Sequence, residues 1–422
     1  MIVNAFIFSF FIIAIIYTFK YRFIQFKFIK ESTKALKEER TSLSAFLMTL
    51  ASHLGAGNIV GVTTALIYGG PGSLFWMIIS CSFISIFSLM ENTLAVKYHE
   101  VINGEYRGGT CYYIKNGLHN PKLALIFCFF LLLANTIFFG PLQVNTISES
   151  LKIPFNLDNK VIIIFLVLFA FLVIFRGTKS ILRFIEKLVP LMTIVFFGVS
   201  ISTILYNIKY LPHVCSLILK DAFSFRSISG ALLGDALIIG LKRSAFSNEA
   251  GLGTAPTLSS MSKIKSPIAQ AFVQVLGAFV DTALMCTLMG LMILVYDIEL
   301  SMFEGCSLAV YIFEVIFSDI GMHLGSFLLF TFAIATWVSS YYVGETNMLY
   351  LSQNLHMKKK LIHNIYKGLF IITTISGVLL SGKAVWDFID YGMMFLGTIN
   401  LYAIIKLEKV FKNELEIYFN MK

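Results

Sequence analysis

Long apolar segments dominate this chain and set the first limit on its fold. Eleven of them approach the roughly 20 apolar residues that an α-helix needs to cross a bilayer. They cover residues 2–19, 42–66, 72–97, 122–149, 160–175, 184–206, 228–250, 268–296, 321–351, 361–380 and 385–405. Charged residues make up 14% of the 422 positions, whereas soluble domains carry about 25%. The sequence therefore predicts an all-α polytopic membrane protein with about eleven transmembrane helices.

The placement of Lys and Arg predicts how these spans are oriented, because short cytoplasmic loops collect basic residues. With the N-terminus outside, the inner segments hold 25 of the 33 Lys and Arg residues. These inner segments are 20–40, 97–122, 176–187, 261–266, 358–367 and 406–422. The predicted outer loop 297–320 holds acidic residues but no Lys or Arg. We therefore predict a multi-pass protein of the cell (inner) membrane with an outer N-terminus and a cytoplasmic C-terminus.

The remaining compositional features exclude several other classes of function. The net charge of +9 follows from the cytoplasmic loops, so no nucleic-acid partner is expected. The six cysteines show no C-x-x-C spacing and are expected to be free thiols, with Cys215 and Cys306 as a candidate pair because both fall in outer segments. No nucleophile with a placed base is recognisable, which argues against an enzyme. Lipid is the expected surroundings, and a monomer is the simplest expectation for the oligomeric state.

A glycine cluster interrupts the second span, where residues 55–61 read Gly-Ala-Gly-Asn-Ile-Val-Gly. Lipid tolerates freed backbone groups only where protein or a polar cavity satisfies them, so this break predicts a site for a polar ligand. Gly57 and Gly61 lie four residues apart, and close packing of two helices is the alternative interpretation. A dinucleotide fingerprint would need a preceding strand and an acidic residue about 20 positions later, but the first acid is Glu91.

A second interrupted helix occurs in the other half of the chain, where residues 247–253 read Ser-Asn-Glu-Ala-Gly-Leu-Gly. Without the first span, ten spans remain as two groups of five with opposite orientation, and each group begins with an interrupted helix. This arrangement predicts an inverted repeat, whose broken helices face each other so that amides hold a carboxylate and carbonyls hold a cation. The predicted units are an extra helix with a basic segment (1–40), the first repeat (41–210), the second repeat (211–410) and a tail (411–422).

Several motifs resemble those of the alanine or glycine:cation symporter family. They lie at residues 55–62, 69–77, 108–114, 186–190, 246–253, 281–282 and 341–345. The resemblance implies a leucine-transporter-like fold with a 5+5 inverted repeat. It also implies sodium-coupled symport of a small neutral amino acid, alanine or glycine, into the cell by alternating access, with sodium as coupling ion and no prosthetic cofactor.

The resemblance also implies particular site residues. The substrate-binding set is Gly55, Ala56, Gly57, Asn58, Gln143, Trp337 and Ser340. Gln143 offers both a donor and an acceptor to an amino acid, although it could instead bond only a neighbouring helix. Family members tend to carry Trp where this chain has Ser340, and Trp337, one turn earlier, is expected to restore that wall. The sodium set is Ala51, Leu54, Phe332, Ala335 and Thr336.

Departures from the family pattern leave the coupling ion open. Family members usually carry hydroxyl residues at the positions of Ala56 and Ala335, so one side-chain hydroxyl is missing from the expected sodium site. His53 is unusual at its position and titrates near neutral pH, which offers a route to proton coupling; a satisfied interior histidine is the alternative. A sensor that binds an amino acid without moving it is the other alternative.

Charged side chains inside predicted spans also need an explanation, because each costs about 2.5 to 3.5 kcal/mol at a helix centre. Asp281 is expected to bind a cation, carry a proton or pair with Lys242 or Arg243, which are expected to lie near the inner end of their span. Asn248 and Glu249 are expected to lock or gate the second broken helix. Glu91 and Glu345 are expected to reach basic loops.

Overall fold

The computed structural model is almost entirely helical and describes residues 2–38, 40–102, 104–224, 234–356, 358–380 and 382–420. Its α-helices, in chain order, are α1 (Ile2–Lys20), α2 (Phe28–Glu38), α3 (Arg40–His53), α4 (Ala56–Gly69), α5 (Gly72–Lys97), α6 (Thr110–Gly117), α7 (Pro121–Leu133), α8 (Gly140–Phe155), α9 (Asn159–Phe169), α10 (Thr178–Tyr206), α11 (Leu211–Ala222), α12 (Asp235–Asn248), α13 (Pro256–Ser259), α14 (Pro267–Ala278), α15 (Thr287–Leu294), α16 (Gly305–Asn354), α17 (Lys359–Leu379), α18 (Gly382–Lys406) and α19 (Glu408–Asn420). Short 3₁₀ turns cover Ile24–Lys27, Ile208–Tyr210 and Leu300–Met302. Wider π-helical turns cover Ala134–Phe139, Ala170–Ile174 and Phe279–Cys286.

The membrane-spanning character predicted from the sequence is confirmed. Within the described residues, eight helical stretches are long and apolar enough to cross a membrane. They are Ile2–Lys20, Ser42–Gly69, Gly72–Lys97, Pro121–Phe155, Thr178–Tyr206, Pro267–Leu294, Gly305–Asn354 and Lys359–Leu379. The predicted spans at 160–175, 228–250 and 385–405 coincide with the shorter α9, with α12 and with α18. Residues 228–233 of the predicted seventh span lie outside the described residues.

Both glycine clusters interrupt a helix, as the sequence predicts. α3 ends at His53, Gly55 is extended with φ −111° and ψ −152°, and α4 begins at the next residue. After α12 the chain turns through Gly251 and Gly253, whose φ angles are 77° and 82°. Glycine adopts this left-handed backbone without the steric penalty of a Cβ. The glycines therefore fix both places where the helical backbone stops.

The two broken helices pack against each other in opposite directions. An added Cβ at Gly57 would lie 3.2 Å from the Phe246 ring, whereas one at Gly69 would lie 3.0 Å from Ile239. The broken end of α4 therefore lies level with the broken end of α12. Small residues at such a contact allow the backbones of two helices to approach closely.

A two-stranded hairpin marks one end of the bundle, which we call the hairpin end. Strands β1 (Glu100–Ile102) and β2 (Glu105–Arg107) pair antiparallel, with Glu100 opposite Arg107. They follow α5, whose 26 residues span roughly 39 Å. Gly72 therefore lies at the opposite end, where its N–H donates to Asp221 Oδ2 at 2.7 Å.

The segment predicted as the outer loop 297–320 is partly helical instead. α16 begins at Gly305 and bends at Ser318, which has φ 55° and ψ −142°. Its first turns bury an apolar face that includes Leu308, Ile312 and Phe313. This spacing of four residues and then one is that of an amphipathic helix, so acidic residues on the other face do not prevent the helix from forming.

Candidate functional site

The break between α3 and α4 brings a glutamine amide to the start of a helix. The Ala56 N–H donates to Gln143 Oε1 at 2.9 Å, and Gln143 lies on the neighbouring α8. An added Cβ at Gly55 would lie 2.7 Å from the same oxygen and would overlap Thr336 Oγ1. Only glycine therefore fits where these three helices converge. The structure brings Gly55, Ala56 and Gln143 together, as the predicted substrate site requires.

A threonine hydroxyl joins the same break to the long helix α16. Thr336 Oγ1 donates to the Ala51 carbonyl at 2.7 Å and lies 3.2 Å from the Phe332 carbonyl. Two of the carbonyl oxygens predicted for the sodium site, those of Ala51 and Phe332, thus lie within hydrogen-bond distance of the Thr336 hydroxyl. The Leu54 carbonyl belongs to the adjoining unwound turn, and Ala335 is buried next to Thr336.

The aromatic wall differs from the one that we predicted. The Trp337 ring stacks on Phe370 with a centroid distance of 5.2 Å and lies 6.2 Å from Phe169, so it packs between α17 and α9 rather than beside Gly55. Ser340 returns its hydroxyl to the Trp337 carbonyl at 2.8 Å. The prediction that Trp337 replaces the missing wall is therefore wrong, because residues 336 and 337 project from α16 about 100° apart.

Other aromatic residues close the site, and the sequence analysis did not single them out. The Phe246 ring covers Gly57 and contacts Trp386 and Phe139 at centroid distances of 5.4 and 5.7 Å. Phe246 opens the motif at 246–253, and Trp386 is one of only three tryptophans. In the sequence, a large aromatic residue next to a predicted helix break indicates a residue that could cover the site.

Asn58 leads to a buried polar cluster around Asp281, which we call the Asp281 cluster. Its members are His53, Asn58, Ser247, Asp281 and Thr282. Asn58 Nδ2 donates to the Asp281 carbonyl at 3.1 Å and also to its Oδ1 atom. Oδ2 accepts from Thr282 Oγ1 at 2.9 Å and lies 3.4 Å from Ser247 Oγ. The cluster joins α4, α12 and the π-helical turn after α14.

The predicted pairing of Asp281 with Lys242 or Arg243 is wrong. Lys242 Nζ binds Asp390 Oδ2 at 2.8 Å, and Arg243 lies 3.8 Å from Asp390 Oδ1 with its guanidinium over the Trp386 ring. Their placement near the inner end of a span is also wrong, because α12 stops at Asn248 inside the bundle. The two cations lie between that break and the end opposite the hairpin.

The second break is stabilised by the Glu91 carboxylate, so the expectation that Glu91 reaches the basic loops is wrong. Glu91 on α5 is fully buried, and its two oxygens accept from the N–H groups of Gly251 and Gly253 at 2.9 and 3.1 Å. Asn400 Nδ2 adds a third donor at 2.7 Å. Successive amides in such a turn form an anion-binding concavity. In the sequence, a glutamate inside one predicted span and a glycine-rich break in another are the two features that indicate such a contact.

Asn248 and Glu249 lie in the same turn. Asn248 Oδ1 accepts from the Ala250 N–H at 3.0 Å, and Glu249 accepts from the Thr254 hydroxyl. Glu345, in contrast, lies near the hairpin end, 3.9 Å from Arg107 and 3.5 Å from His363.

The two ends of the bundle differ in their cavities and in the contacts that close them. At the end opposite the hairpin, a cavity of about 410 Å³ reaches Val60, Leu142 and Trp386. At the hairpin end, the buried Arg107 donates to Thr346 at 2.5 Å and to Thr178 at 3.1 Å. These bonds tie the hairpin to α16 and α10. A second cavity, of about 590 Å³, lies at the hairpin end, where Arg107, Glu345 and His363 line it. Of these two cavities in the described part of the chain, only the one at the opposite end is lined by immediate neighbours of Gly61 and Gln143, namely Val60 and Leu142.

A helical membrane bundle in which two interrupted helices meet at a polar centre is the architecture of a secondary transporter. Solved structures of a manganese transporter from Eremococcus coleocola share this leucine-transporter-like fold, with a TM-score of 0.52 and 14% identity over 86% of this chain and 76% of that chain. Within the described residues, no group of three or more His, Cys, Asp or Glu side chains could hold a metal ion. At 14% identity, the likeness concerns the fold alone.

The chain belongs to the sodium:alanine symporter family, which matches residues 1–422. It is 33% identical to the "Probable sodium/glutamine symporter GlnT" of Bacillus subtilis (strain 168), over 97% of this chain and 86% of that protein. It is 31% identical to the "Amino-acid carrier protein AlsT" of the same organism, over 94% and 86%. It is 30% identical to the "Sodium/alanine symporter AgcS" of Methanococcus maripaludis, over 94% and 88%.

These findings confirm the family resemblance that the motifs carry. The chain is a sodium-coupled amino-acid transporter and a multi-pass membrane protein, not an enzyme. Its cysteines within the described residues are free, including Cys215 and Cys306.

Proposed function

We propose that this chain imports alanine or glycine together with sodium across the cell (inner) membrane by alternating access. The observation that carries the proposal is the junction at Gly55. There the start of α4, the Gln143 amide and the Thr336 hydroxyl meet at one unwound turn. An amino-acid site and a cation site would share this turn, so each ligand would organise the backbone that binds the other.

The substrate carboxylate is proposed to bind at the start of α4, with Gly55, Ala56, Gly57 and Asn58 as its surroundings. The N-terminus of a helix carries a partial positive charge and N–H groups that suit a carboxylate. The Ala56 N–H donates to the Gln143 oxygen at 2.9 Å, a bond to an acceptor outside its own helix, which supports this placement. On substrate binding the carboxylate takes that bond, and Gln143 turns its amide oxygen to the α-ammonium.

The coupling sodium is proposed to lie between α3 and α16. Its ligands would be the carbonyl oxygens of Ala51, Leu54, Phe332 and Ala335 with the hydroxyl of Thr336. Unwound carbonyls serve this purpose in transporters with broken helices. Because Ala335 provides no hydroxyl, Thr336 is the single side-chain ligand in this set.

A small substrate is favoured by the aromatic residues over the site. Phe246 lies within 3.2 Å of the position where Gly57 would carry a Cβ, and Trp386 and Phe139 pack around it. This apolar enclosure suits the methyl group of alanine or the hydrogen of glycine. A glutamine amide would lose its hydrogen bonds with water there, at a cost of roughly 1–3 kcal/mol.

The end opposite the hairpin is proposed to be extracellular, which places the N-terminus outside and the C-terminus in the cytoplasm. The basic segments support this orientation. At the hairpin end, Lys20 binds Glu408 at 2.6 Å and Lys97 binds Glu414 at 2.8 Å, so α19 lies with the basic loops. The cavity of about 410 Å³ is then the outer vestibule.

Uptake of radiolabelled alanine into proteoliposomes tests the proposed function. An inward sodium gradient is compared with an equal potassium gradient at fixed pH, with unlabelled glycine, serine and glutamine as competitors. We expect accumulation with sodium and competition by glycine but not by glutamine. Accumulation only with a proton gradient would refute sodium coupling, and binding without accumulation under any gradient would identify a sensor.

A further inference from the structure

The cavity of about 590 Å³ at the hairpin end lies apart from the junction at Gly55. The hairpin and the helices α10, α16 and α17 each contribute residues to its walls. Cavities that hold small ligands have volumes of about 300–1,000 Å³, so this one has room for a ligand of its own. None of the described residues that line it belongs to the proposed amino-acid or sodium site.

The lining of this cavity carries an excess of positive charge. It holds five Lys and Arg residues against two carboxylates, which leaves three positive charges unbalanced. Both carboxylates lie beside the buried Arg107, since Glu105 Oε2 is 2.6 Å and Glu345 Oε2 is 3.9 Å from its guanidinium. Among the described residues, the other four basic side chains of the lining form no ion pair with a carboxylate; they are Arg176, Lys179, Lys359 and Lys360.

Two long helices begin at the same cavity. Gly177 precedes α10 and Lys358 precedes α17, and neither of these capping residues bonds its helix through a side chain. Their carbonyls accept from the third and fourth N–H groups of each helix, at 2.9 and 3.2 Å in both cases. The first two N–H groups of each helix have no intrahelical acceptor, and they belong to residues that line the cavity, namely Thr178, Lys179, Lys359 and Lys360.

We propose that this cavity binds the phosphate group of an anionic ligand. Phosphate oxygens accept hydrogen bonds from the N–H groups at a helix start and from basic side chains. The planar guanidinium of Arg176 can bind two phosphate oxygens at once, whereas the lysines add point charges. A phosphate group offers oxygens in several directions, which suits donors that come from two different helices. The group can belong to a phospholipid of the adjoining leaflet or to a soluble phosphate compound.

The surface around the cavity favours the phospholipid. Leu172 lies four residues before Arg176 and is 57% exposed, and Leu361 directly follows Lys360 and is 53% exposed. In a membrane protein such exposed apolar side chains adjoin the acyl chains. Basic pockets between helices at the cytoplasmic surface suit the headgroups of anionic phospholipids, and the hairpin end is the proposed cytoplasmic end. A phospholipid therefore fits both the charge and the position of the cavity, whereas a soluble phosphate fits the charge.

Thermal unfolding of the purified, full-length protein in detergent tests the proposal without alanine. A ligand that binds only the folded protein raises the unfolding midpoint with increasing ligand concentration. The probes are phosphatidylglycerol, which is anionic, phosphatidylcholine, which carries no net charge, and inorganic phosphate. We expect phosphatidylglycerol to raise the midpoint to a plateau at concentrations where phosphatidylcholine has no effect.

Substitutions on the two helices that begin at the cavity locate the site. K359Q/K360Q on α17 removes two positive charges, and R176Q/K179Q on α10 does the same from the other side. A basic residue near an anionic headgroup contributes about fivefold in affinity, so each double variant should need about 30-fold more phosphatidylglycerol for half of the effect. All four side chains are exposed, so the unfolding midpoint without lipid should not change.

K406Q/K409Q is the matched control for these double variants. Lys406 and Lys409 are exposed near the same end of the bundle, on α18 and α19, and neither lines the cavity. This variant loses the same charge and should keep the wild-type response to phosphatidylglycerol. An equal response in the control and in both cavity variants would show that lipid binds the basic surface in general, and it would overturn the site.

The remaining outcomes separate the sources of the phosphate group. A shift with phosphatidylglycerol alone identifies a lipid site, and a shift with inorganic phosphate that both cavity variants lose identifies a site for soluble phosphate. Equal shifts with phosphatidylcholine and phosphatidylglycerol, or no shift with any probe, would refute the proposal. Sodium-driven alanine uptake is measured on the same proteins, and normal uptake without any shift would show that the proposed function stands without this site.

Discussion

Replacing Thr336 with valine should weaken sodium binding far more than it changes the choice of amino acid. Valine keeps the shape of the threonine but removes the hydroxyl that lies 2.7 Å from the Ala51 carbonyl. The change deletes the side-chain oxygen of the proposed sodium set, so the buried ion loses one partner. Losing one partner of a buried polar pair costs about 1–3 kcal/mol, which corresponds to about a 5- to 150-fold higher sodium concentration for half-maximal uptake.

The assay is the initial rate of alanine uptake into proteoliposomes as a function of sodium concentration, with serine and glycine competition measured in parallel. Thr331→Val is the matched control, because Thr331 is buried on the same helix but its hydroxyl bonds the Leu328 carbonyl within that helix at 2.9 Å. We expect the control to keep the wild-type sodium dependence. Equal sodium dependence in both variants, or an equal loss of sodium dependence and selectivity in T336V, would refute the assignment of Thr336.

Three further substitutions test other parts of the site. Gly55→Ala should abolish alanine binding, because the added Cβ overlaps Thr336 Oγ1. Gly61→Ala should retain alanine binding, since the nearest side chain lies 3.8 Å from its added Cβ. Equal alanine binding by the two variants in an equilibrium assay would contradict this expectation. Gln143→Leu should weaken alanine binding about 10- to 150-fold, the loss of a hydrogen bond to a charged group, at unchanged expression; normal uptake would remove Gln143 from the site. Glu91→Gln leaves one amide of the second break without an acceptor and should destabilise the fold by about 1–3 kcal/mol, which an unchanged thermal unfolding midpoint would refute.

The positions of the helix breaks could be predicted from the sequence because glycine acts locally. A glycine cluster inside an apolar segment requires a helix to stop there, and residues 55 and 251 show this in the structure. The contact between Ala51 and Thr336 came from the family resemblance, and the hydrogen bond between them agrees with that expectation. Boundaries of the repeats at 41–210 and 211–410 stay predictions.

Contacts between distant helices could not be predicted in the same way. Helical periodicity places Trp337 near the face of Ser340, but it does not reveal that Phe370 occupies the space beside it. The expected position of Lys242 assumes that its helix crosses the whole membrane, whereas that helix ends at Asn248, which is buried inside the bundle. The expectation that Glu91 reaches the basic loops is wrong because its partners are backbone amides 160 residues away, and the glycine-rich break is the feature of the sequence that indicates such amides.

Reciprocal binding of sodium and alanine tests the shared turn at Gly55 most directly. Equilibrium binding of radiolabelled alanine to the purified protein is measured in sodium and in potassium at the same ionic strength and pH, and sodium binding is measured with and without alanine. Because linkage is reciprocal, both affinities should rise by the same factor, in the range of about 5- to 150-fold. An alanine affinity that is the same in sodium and in potassium would contradict a common organising turn.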